Sequence, residues 1–289
     1  MPELPEVETI VRGLNEKVLG RTFIDIWTDS KKIVKKPESF EQFKKEIKGK
    51  TILKIWRRGK NILFDLSGNK VLLIHQKLTG HLLHGTWSMK HRTWQPKERG
   101  PLEEKINTYI HLLFTLDNGK MVALSDLRKF GKAELWETEE LKKELSFLGP
   151  EPLDKDFDFE EFKRVLLKTR GKIKKILMDQ KVIAGIGNIY SDEILWQAKV
   201  NPLRQIKTLN KKELKKIYKA IKEVLKKAVE LRGTSTSDYR DIEGKKGFFQ
   251  KQRKVYRREG EKCSRCGAII KKIKLAGRSA RFCPKCQKV

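Results

Sequence analysis

The apolar positions change period along the chain. From Pro5 onward, Val7, Ile10, Val11, Leu14 and Val18 recur three and four apart, which predicts an amphipathic helix stopped by Gly20. The period then shortens. Residues 22–27, 51–56, 61–66 and 71–75 are compact runs rich in β-branched and aromatic side chains, and each predicts a strand. Residues 67–70 read as the turn between the last two runs. A second hairpin is predicted from 109–116 and 120–125 around Asp117-Asn118-Gly119. Two prolines and a glycine within 148–153 break any periodic element, and a helical rhythm follows. Helices are expected over 159–167, 172–179 and 189–198, with a glycine-rich turn at 184–188 before the third. Asn210 caps another helix, with Glu213 three residues on and an apolar stripe from Leu214 to Ala228.

This pattern predicts an α+β chain. An N-terminal helix plus a β-sandwich occupies 1–136, a linker 137–153, and a helical domain 154–250. A cysteine-bearing segment occupies 251–289. A length of 289 residues suits two domains, and 38% hydrophobic content is enough for real cores.

Charge narrows the function. The net charge is +29 and charged residues make up 36% of the chain. An excess of one sign on this scale asks for a polyanionic partner. Nucleic acid is the first candidate and an anionic membrane surface a distant second. No apolar run approaches the ~20 residues of a spanning helix, and the N-terminus lacks the pattern of a signal peptide. The expected location is the cytoplasm, at the nucleoid, with no secretion and no membrane partner.

All four cysteines lie near the C-terminus, as Cys263-x2-Cys266 and Cys283-x2-Cys286. Two such pairs make a tetrahedral thiolate site for zinc. Four thiolates leave no open position, so the ion is structural. A disulfide pair is the rival, disfavoured in a reducing compartment. The residues between the pairs predict a hairpin with Arg278 at its tip, placed to grip phosphate.

The chemistry-bearing residues begin at the first position. Removal of Met1 turns Pro2 into a secondary amine with a free lone pair, able to attack an electrophilic sugar carbon and form an iminium. Glu3 beside it is a carboxyl that can give or take a proton. The blander reading is a helix start, with Pro5, Glu6 and Glu8 suiting the first turn. Lys60, after Arg57-Arg58-Gly59, is either a solvated turn lysine or a phosphate ligand. In Asp126-Leu-Arg-Lys-Phe-Gly131, extended backbone would turn Arg128 and Phe130 to one side, which suits a wedge into stacked bases. The turn at 184–188, opening into a helix, is a candidate anion site flanked by Lys174 and Lys181. Segment 85–105 is polar and irregular, and its Trp87 and Trp94 either stack on DNA or cover a strand edge. The polar loop 234–244 has the length and hydroxyl content of a mobile lid.

Met1-Pro2-Glu3-Leu4-Pro5-Glu6-Val7-Glu8-Thr9 resembles the start of the formamidopyrimidine-DNA glycosylases, and the resemblance continues at Lys60, 126–131, 180–190 and the cysteines. It implies a bifunctional glycosylase and abasic-site lyase that takes oxidised purines from damaged double-stranded DNA. It also implies a helix–two-turns–helix motif, one zinc on the four cysteines, and a monomer. Pro2 would be the nucleophile and Glu3 the proton carrier. Lys60 would meet the lesion's flanking phosphate or sugar, and Arg278 the phosphates and the second elimination. Leu78, Arg128 and Phe130 would fill the gap left by the flipped nucleotide. Asn188, Lys174 and Arg170 would hold phosphate, and the 234–244 loop would close over the everted base. Two positions depart from the pattern. Tyr109 stands where a DNA-contacting histidine is common, and Thr169 where a basic residue is common, with Arg170 next to it. The rivals are an endonuclease VIII-like enzyme for oxidised pyrimidines and a non-catalytic DNA-binding zinc protein. Leu4 and the 126–131 motif favour the purine enzyme.

Overall fold

A computed structural model describes residues 1–235 and 238–288. The chain forms two compact units, Met1–Leu145 with Leu231–Gln250, and Ser146–Glu230 with Lys251–Val289.

The first unit opens with α1 (Leu4–Val18), whose Val7, Ile10, Leu14 and Val18 are completely enclosed. Then come β1 (Phe23–Thr28), β2 (Val34–Lys36), α2 (Phe40–Ile47), β3 (Ile52–Arg58), β4 (Asn61–Leu66), β5 (Lys70–His75), β6 (His81–Gly85), β7 (Trp87–Lys90), β8 (Thr93–Pro96), β9 (Ile110–Leu116), β10 (Met121–Ser125), β11 (Lys132–Glu137) and α3 (Thr138–Leu145). A four-stranded sheet has the order β1-β9-β10-β6, and a five-stranded sheet β2-β11-β5-β4-β3. Alternation sets which side chains meet between them. Phe114 of β9 stands opposite Ile26 and Val122, and Ile74 of β5 opposite Ile62 and Ala133. All are buried, and α1 adds its stripe to the same core. Each Ile, Val or Phe among them contributes roughly 1.5–3 kcal/mol by leaving water.

The second face of the four-stranded sheet is also apolar, with Leu83, Ala123 and Leu113 in register across three strands. The 85–105 segment covers it. Trp87 is buried against this face with Leu102, and Trp94 packs edge-on to Trp27 at 5.5 Å between centroids. The sequence left two roles open for these tryptophans, and they cover the sheet.

Segment 231–250, which the sequence order groups with the helices, packs in the first unit. Tyr239 and Ile242 join the sandwich core, and His84 N–H donates to Ile242 O at 2.7 Å. Arg240 reaches Glu104 at 2.8 Å, and Asn107 reaches Gly244 O.

In the second unit, α4 (Phe159–Leu167) is capped by Asp158, which accepts from Glu161 N–H at 2.8 Å. Then follow α5 (Ile173–Leu177), α6 (Asn188–Ala198) and α7 (Lys211–Glu230). Asn210 and Glu213 form the reciprocal cap expected for α7, each bond 2.9 Å. Helix α6 is enclosed on nearly every side, including Ser191, Asp192 and Glu193. The unit ends in the hairpin of β12 (Lys271–Leu275) and β13 (Arg278–Phe282). Among the described residues no helix is long and apolar enough to cross a membrane.

Candidate functional site

The first turn of α1 is held from two directions. Glu3 is the N-cap, and its N–H donates to Glu6 Oε2 at 2.8 Å. Glu6 Oε1 accepts the Thr234 N–H at 2.6 Å, and its backbone carbonyl accepts from the Tyr239 hydroxyl. Gly233 makes this approach possible: its φ is +76°, and a Cβ there would stand 2.8 Å from Glu6 Oε1. Glu6 therefore ties the end of the chain's first turn to a segment more than 220 positions away. The sequence reading assigned Glu6 only a helix-dipole role. The third-helical-position glutamate of a capping box was the available signal for its bond to Glu3 N–H, though not for the Thr234 contact.

Pro2 and Glu3 are buried. The Met1 side chain is exposed, but burial of its amine lowers the amine's pKa. Glu3, Glu6 and Asp238 oppose that shift, and Lys60 adds to it. Lys60 is 7% exposed, at the β3–β4 turn that Gly59 makes with φ +58°. That burial is at odds with a solvated turn lysine.

A second group follows β10. Residues 126–131 are a turn and not extended chain, so strand alternation is not what pairs Arg128 with Phe130. Asp126, fully enclosed, shapes the turn. It accepts Gly131 N–H at 2.6 Å, Arg128 N–H at 3.2 Å and the Thr79 hydroxyl. Lys129 takes φ +53° within it. The outcome is the expected shared side: the Arg128 guanidinium lies 4.8 Å from the Phe130 ring centroid, and Phe130 is 50% exposed. Leu78 is exposed on the adjacent turn. Tyr109 is half-buried, and its carbonyl accepts Asp126 N–H at 2.8 Å.

In the second unit, Gln180 braces the glycine-rich turn. Its Oε1 accepts Gly185 N–H at 2.9 Å, and its Nε2 donates to Met178 O and Ile186 O. Gly187 caps α6, so Asn188 opens the helix. Among the described residues Asn188 Oδ1 is enclosed with no hydrogen-bond partner, as a group awaiting a ligand would be. Arg170 is exposed, while Thr169 Oγ1 donates to Leu166 O at 2.6 Å and closes α4.

Lys174 corrects the sequence reading. It has no exposed surface, and its ammonium donates to Asp192 Oδ1 and Ser279 O, both at 2.6 Å. A lysine so enclosed is a strut within its unit and not a phosphate ligand. Sequence reasoning missed its partner Asp192, and Glu193 as well. Glu193 accepts the N–H groups of Lys254, Val255 and Tyr256 at 2.8–3.1 Å. Carboxylates inside an otherwise apolar helix of so basic a chain were the signal for both.

The sulfurs of Cys263, Cys266, Cys283 and Cys286 lie within 4.8 Å of one another. Cys263 N–H donates to Ala268 O and Gly267 N–H to Cys263 O, the tight turn that aims two sulfurs inward. This donor set fits one structural zinc, with no position left for substrate. Arg278 is exposed, following the Ala276-Gly277 turn of the hairpin.

Three family models match the chain. Residues 1–133 match the formamidopyrimidine-DNA glycosylase N-terminal domain, 148–240 its H2TH domain, and 260–289 a zinc finger found in FPG and IleRS. The chain is 40% identical to the formamidopyrimidine-DNA glycosylases of Heliobacterium modesticaldum and Carboxydothermus hydrogenoformans, over the full length of each protein. Its structure is similar to that of Lactococcus lactis Fpg in complex with abasic-site DNA. The TM-score is 0.87 and the identity 38%, over 99% of this chain and 100% of that one. It is also similar to MutM in complex with carbocyclic 8-oxo-G DNA, with a TM-score of 0.86 and 37% identity over 100% of both chains.

Proposed function

The chain belongs to the formamidopyrimidine-DNA glycosylase family, and on that premise we propose that it excises oxidised purines from duplex DNA and cuts the strand at the resulting abasic site. The enclosed N-terminal turn carries this reading. Burial, with the Lys60 charge nearby, lowers the pKa of an amine there and so favours its uncharged, nucleophilic form.

After loss of Met1, the Pro2 nitrogen attacks the sugar C1′ and the base departs with the bonding electrons. A proton reaches the base, and Glu3 serves the proton transfers of ring opening. The iminium between Pro2 and C1′ acidifies the 2′ hydrogens. Loss of one expels the 3′ phosphate, and a second elimination expels the 5′ phosphate. Addition of water to the iminium carbon and cleavage of its bond to nitrogen free Pro2. The base reacts only outside the stack, so Leu78, Arg128 and Phe130 occupy the space it leaves. Lys60, Asn188, Arg170 and Arg278 hold phosphates around the distorted site. Zinc keeps the hairpin folded and takes no part in the chemistry. The enzyme works as a monomer at the nucleoid.

The test is borohydride trapping on an 8-oxoguanine duplex. Protein lacking Met1 should give a covalent adduct, and Pro2→Gly should give none while binding DNA within a few-fold of the parent. Undiminished trapping by Pro2→Gly would assign the nucleophile to another amine, Lys60 first.

A further inference from the structure

The cover segment 85–107 also grips the chain that packs beside the N-terminal turn. Arg240 Nε donates to Glu104 Oε2 at 2.9 Å, and Arg240 Nη2 lies 2.8 Å from the same oxygen. Asn107 Nδ2 donates to Gly244 O at 3.3 Å, while its Oδ1 meets His81 Nε2 at 2.8 Å. Gly244 takes φ +77°, and a Cβ there would stand 2.7 Å from Asn107 Nδ2. The two segments are built against each other across 136 and 137 positions of chain.

Arg240 is placed to pass that grip on. It is 6% exposed, so its charge is poorly screened and calls for a fixed partner. Its Nη1 donates to Tyr239 O at 2.8 Å, and the Ser235 hydroxyl donates to the same carbonyl at 2.7 Å. A guanidinium holds Nε, Nη1 and Nη2 in one plane, so a carboxylate that fixes two of them aims the third. The Tyr239 hydroxyl then donates to Glu6 O at 3.3 Å, and Glu6 Oε2 accepts the Glu3 N–H at 2.8 Å. An unbroken run of bonds thus leads from the cover segment to the residue beside Pro2. Asp238, adjacent to Tyr239 in the chain, is also among the charges that bear on the terminal amine.

We propose that Arg240 is a positioning residue for the reaction at the N-terminal amine, and that Glu104 fixes it. Neither side chain has to touch DNA or the reacting atoms. They act through Tyr239 and Glu6, which hold Glu3 and the start of α1. This role rests on the repair reading above, and it gives a part in the reaction to a segment that otherwise only covers a sheet.

The test starts from Glu104→Gln, because 42% of the Glu104 side chain is exposed and the fold does not depend on it. Partly exposed ion pairs add little to stability, so the melting temperature should stay within a few degrees of the parent. In protein freed of Met1, single-turnover rates at saturating enzyme should fall several-fold. The fall should appear both on an 8-oxoguanine duplex and on a ready-made abasic site, since both reactions use the same amine. Affinity for an abasic-analogue duplex should stay at the parent value, because no phosphate ligand is lost. Glu104→Asp should recover part of the rate. Arg240→Lys keeps the charge but not the fork, and should be at least as slow as Glu104→Gln. In Tyr239→Phe, which cuts the link to Glu6, adding Glu104→Gln should cost nothing further.

Parent rates in folded Glu104→Gln overturn the proposal. Additive losses in the double variant do so too, as does a loss confined to the 8-oxoguanine duplex, which would place the effect on the base. A rate loss that comes with a large drop in melting temperature would make the tie structural only, and it counts against the proposal equally. The parent's own activity separates this role from the function. A parent that cuts neither duplex refutes the repair reading and the proposal with it. An active parent with an equally active Glu104→Gln removes only the role of the pair.

Discussion

Lys174 Nζ lies 2.6 Å from Asp192 Oδ1, and neither side chain has any exposed surface. Asp192 Oδ2 also accepts the Arg281 N–H at 3.2 Å, and Lys174 donates to Ser279 O. Strand β13 closes on β12 at Leu275 and Arg278, so the backbone groups of Ser279 and Arg281 point away from β12. The ion pair bonds to that open edge where a third strand would otherwise stand. Burial pushes the Asp192 carboxyl up to about 7, against the pull of the Lys174 ammonium. The pair thus sets the hairpin that carries Arg278.

Removing one partner leaves a buried charge, which costs about 3–5 kcal/mol, whereas replacing both is often close to neutral. Lys174→Met should therefore destabilise the second unit by several kcal/mol in urea titration. Lys174→Met/Asp192→Asn should recover most of the loss. A double variant whose loss is the sum of the Lys174→Met and Asp192→Asn losses would show that the charges are not coupled.

Gln76 continues the inward alternation of Leu72 and Ile74 at the end of β5 and is 1% exposed. Among the described residues its Oε1 and Nε2 have no hydrogen-bond partner. Burying an unsatisfied amide costs about 1–3 kcal/mol. Gln76→Leu should raise the melting temperature by about 2–4 °C per kcal/mol recovered. A lower melting temperature would mean that the amide has a partner in the working protein.

His75 predicts the acid limit. Its Nδ1 accepts the Lys77 N–H at 2.9 Å, which requires the neutral ring. Burial, with Lys77, Lys132 and Lys60 nearby, lowers its pKa from 6.5 to about 3. The unfolded chain then binds more protons than the folded one between these values. Stability from this group is complete above pH 6.5 and is lost as pH falls toward 3. His81, His84 and His111 are lowered too, each mainly by burial. Going from pH 6.5 to 5 should cost up to about 2 kcal/mol through His75 alone. His75→Gln should flatten that part of the profile, and an unchanged slope would clear His75 of the role.

What the sequence made legible was local. The α1 stripe needs only a helical period, and Val7, Ile10, Leu14 and Val18 are all enclosed. The cysteine pairs need only their spacing, and their sulfurs converge. Long-range partners were not legible. Lys174 looked like a flanking cation because Ser279 lies 105 positions away. The 126–131 turn looked extended because its organiser is the Asp126 side chain, bonded to Thr79 47 positions back. The Glu6–Thr234 contact that draws 231–250 into the first unit has no local signature at either end. The expected lid, 234–244, falls partly on Thr236 and Ser237, outside the described residues.

The zinc site should be separable from the N-terminal turn. Metal binding there is folding free energy for the hairpin. Cys283→Ser, or chelation, should unfold the segment carrying Arg278 and weaken DNA binding. The helical signal of α1 in circular dichroism should stay. Normal binding and cleavage by metal-free protein would contradict a structural zinc.

Phe130 separates unstacking from binding. At 50% exposure it is no core residue, so Phe130→Ala should change stability by no more than about 0.5 kcal/mol. The loss should appear in the chemistry of intact duplexes. Opening a base step costs a few kcal/mol, and the ring beneath the Arg128 guanidinium is placed to offset it. Excision of 8-oxoguanine by Phe130→Ala should slow far more than binding weakens. The salt slope should stay, because no phosphate ligand is removed. An abasic site has less stacking left to break, so the variant should cleave it at nearly the parent rate. Single-turnover rates on the two substrates decide the matter. Equal slowing on both would mean that the ring serves the fold of the 126–131 turn, and the wedge would have to be assigned to Leu78 and Arg128 alone.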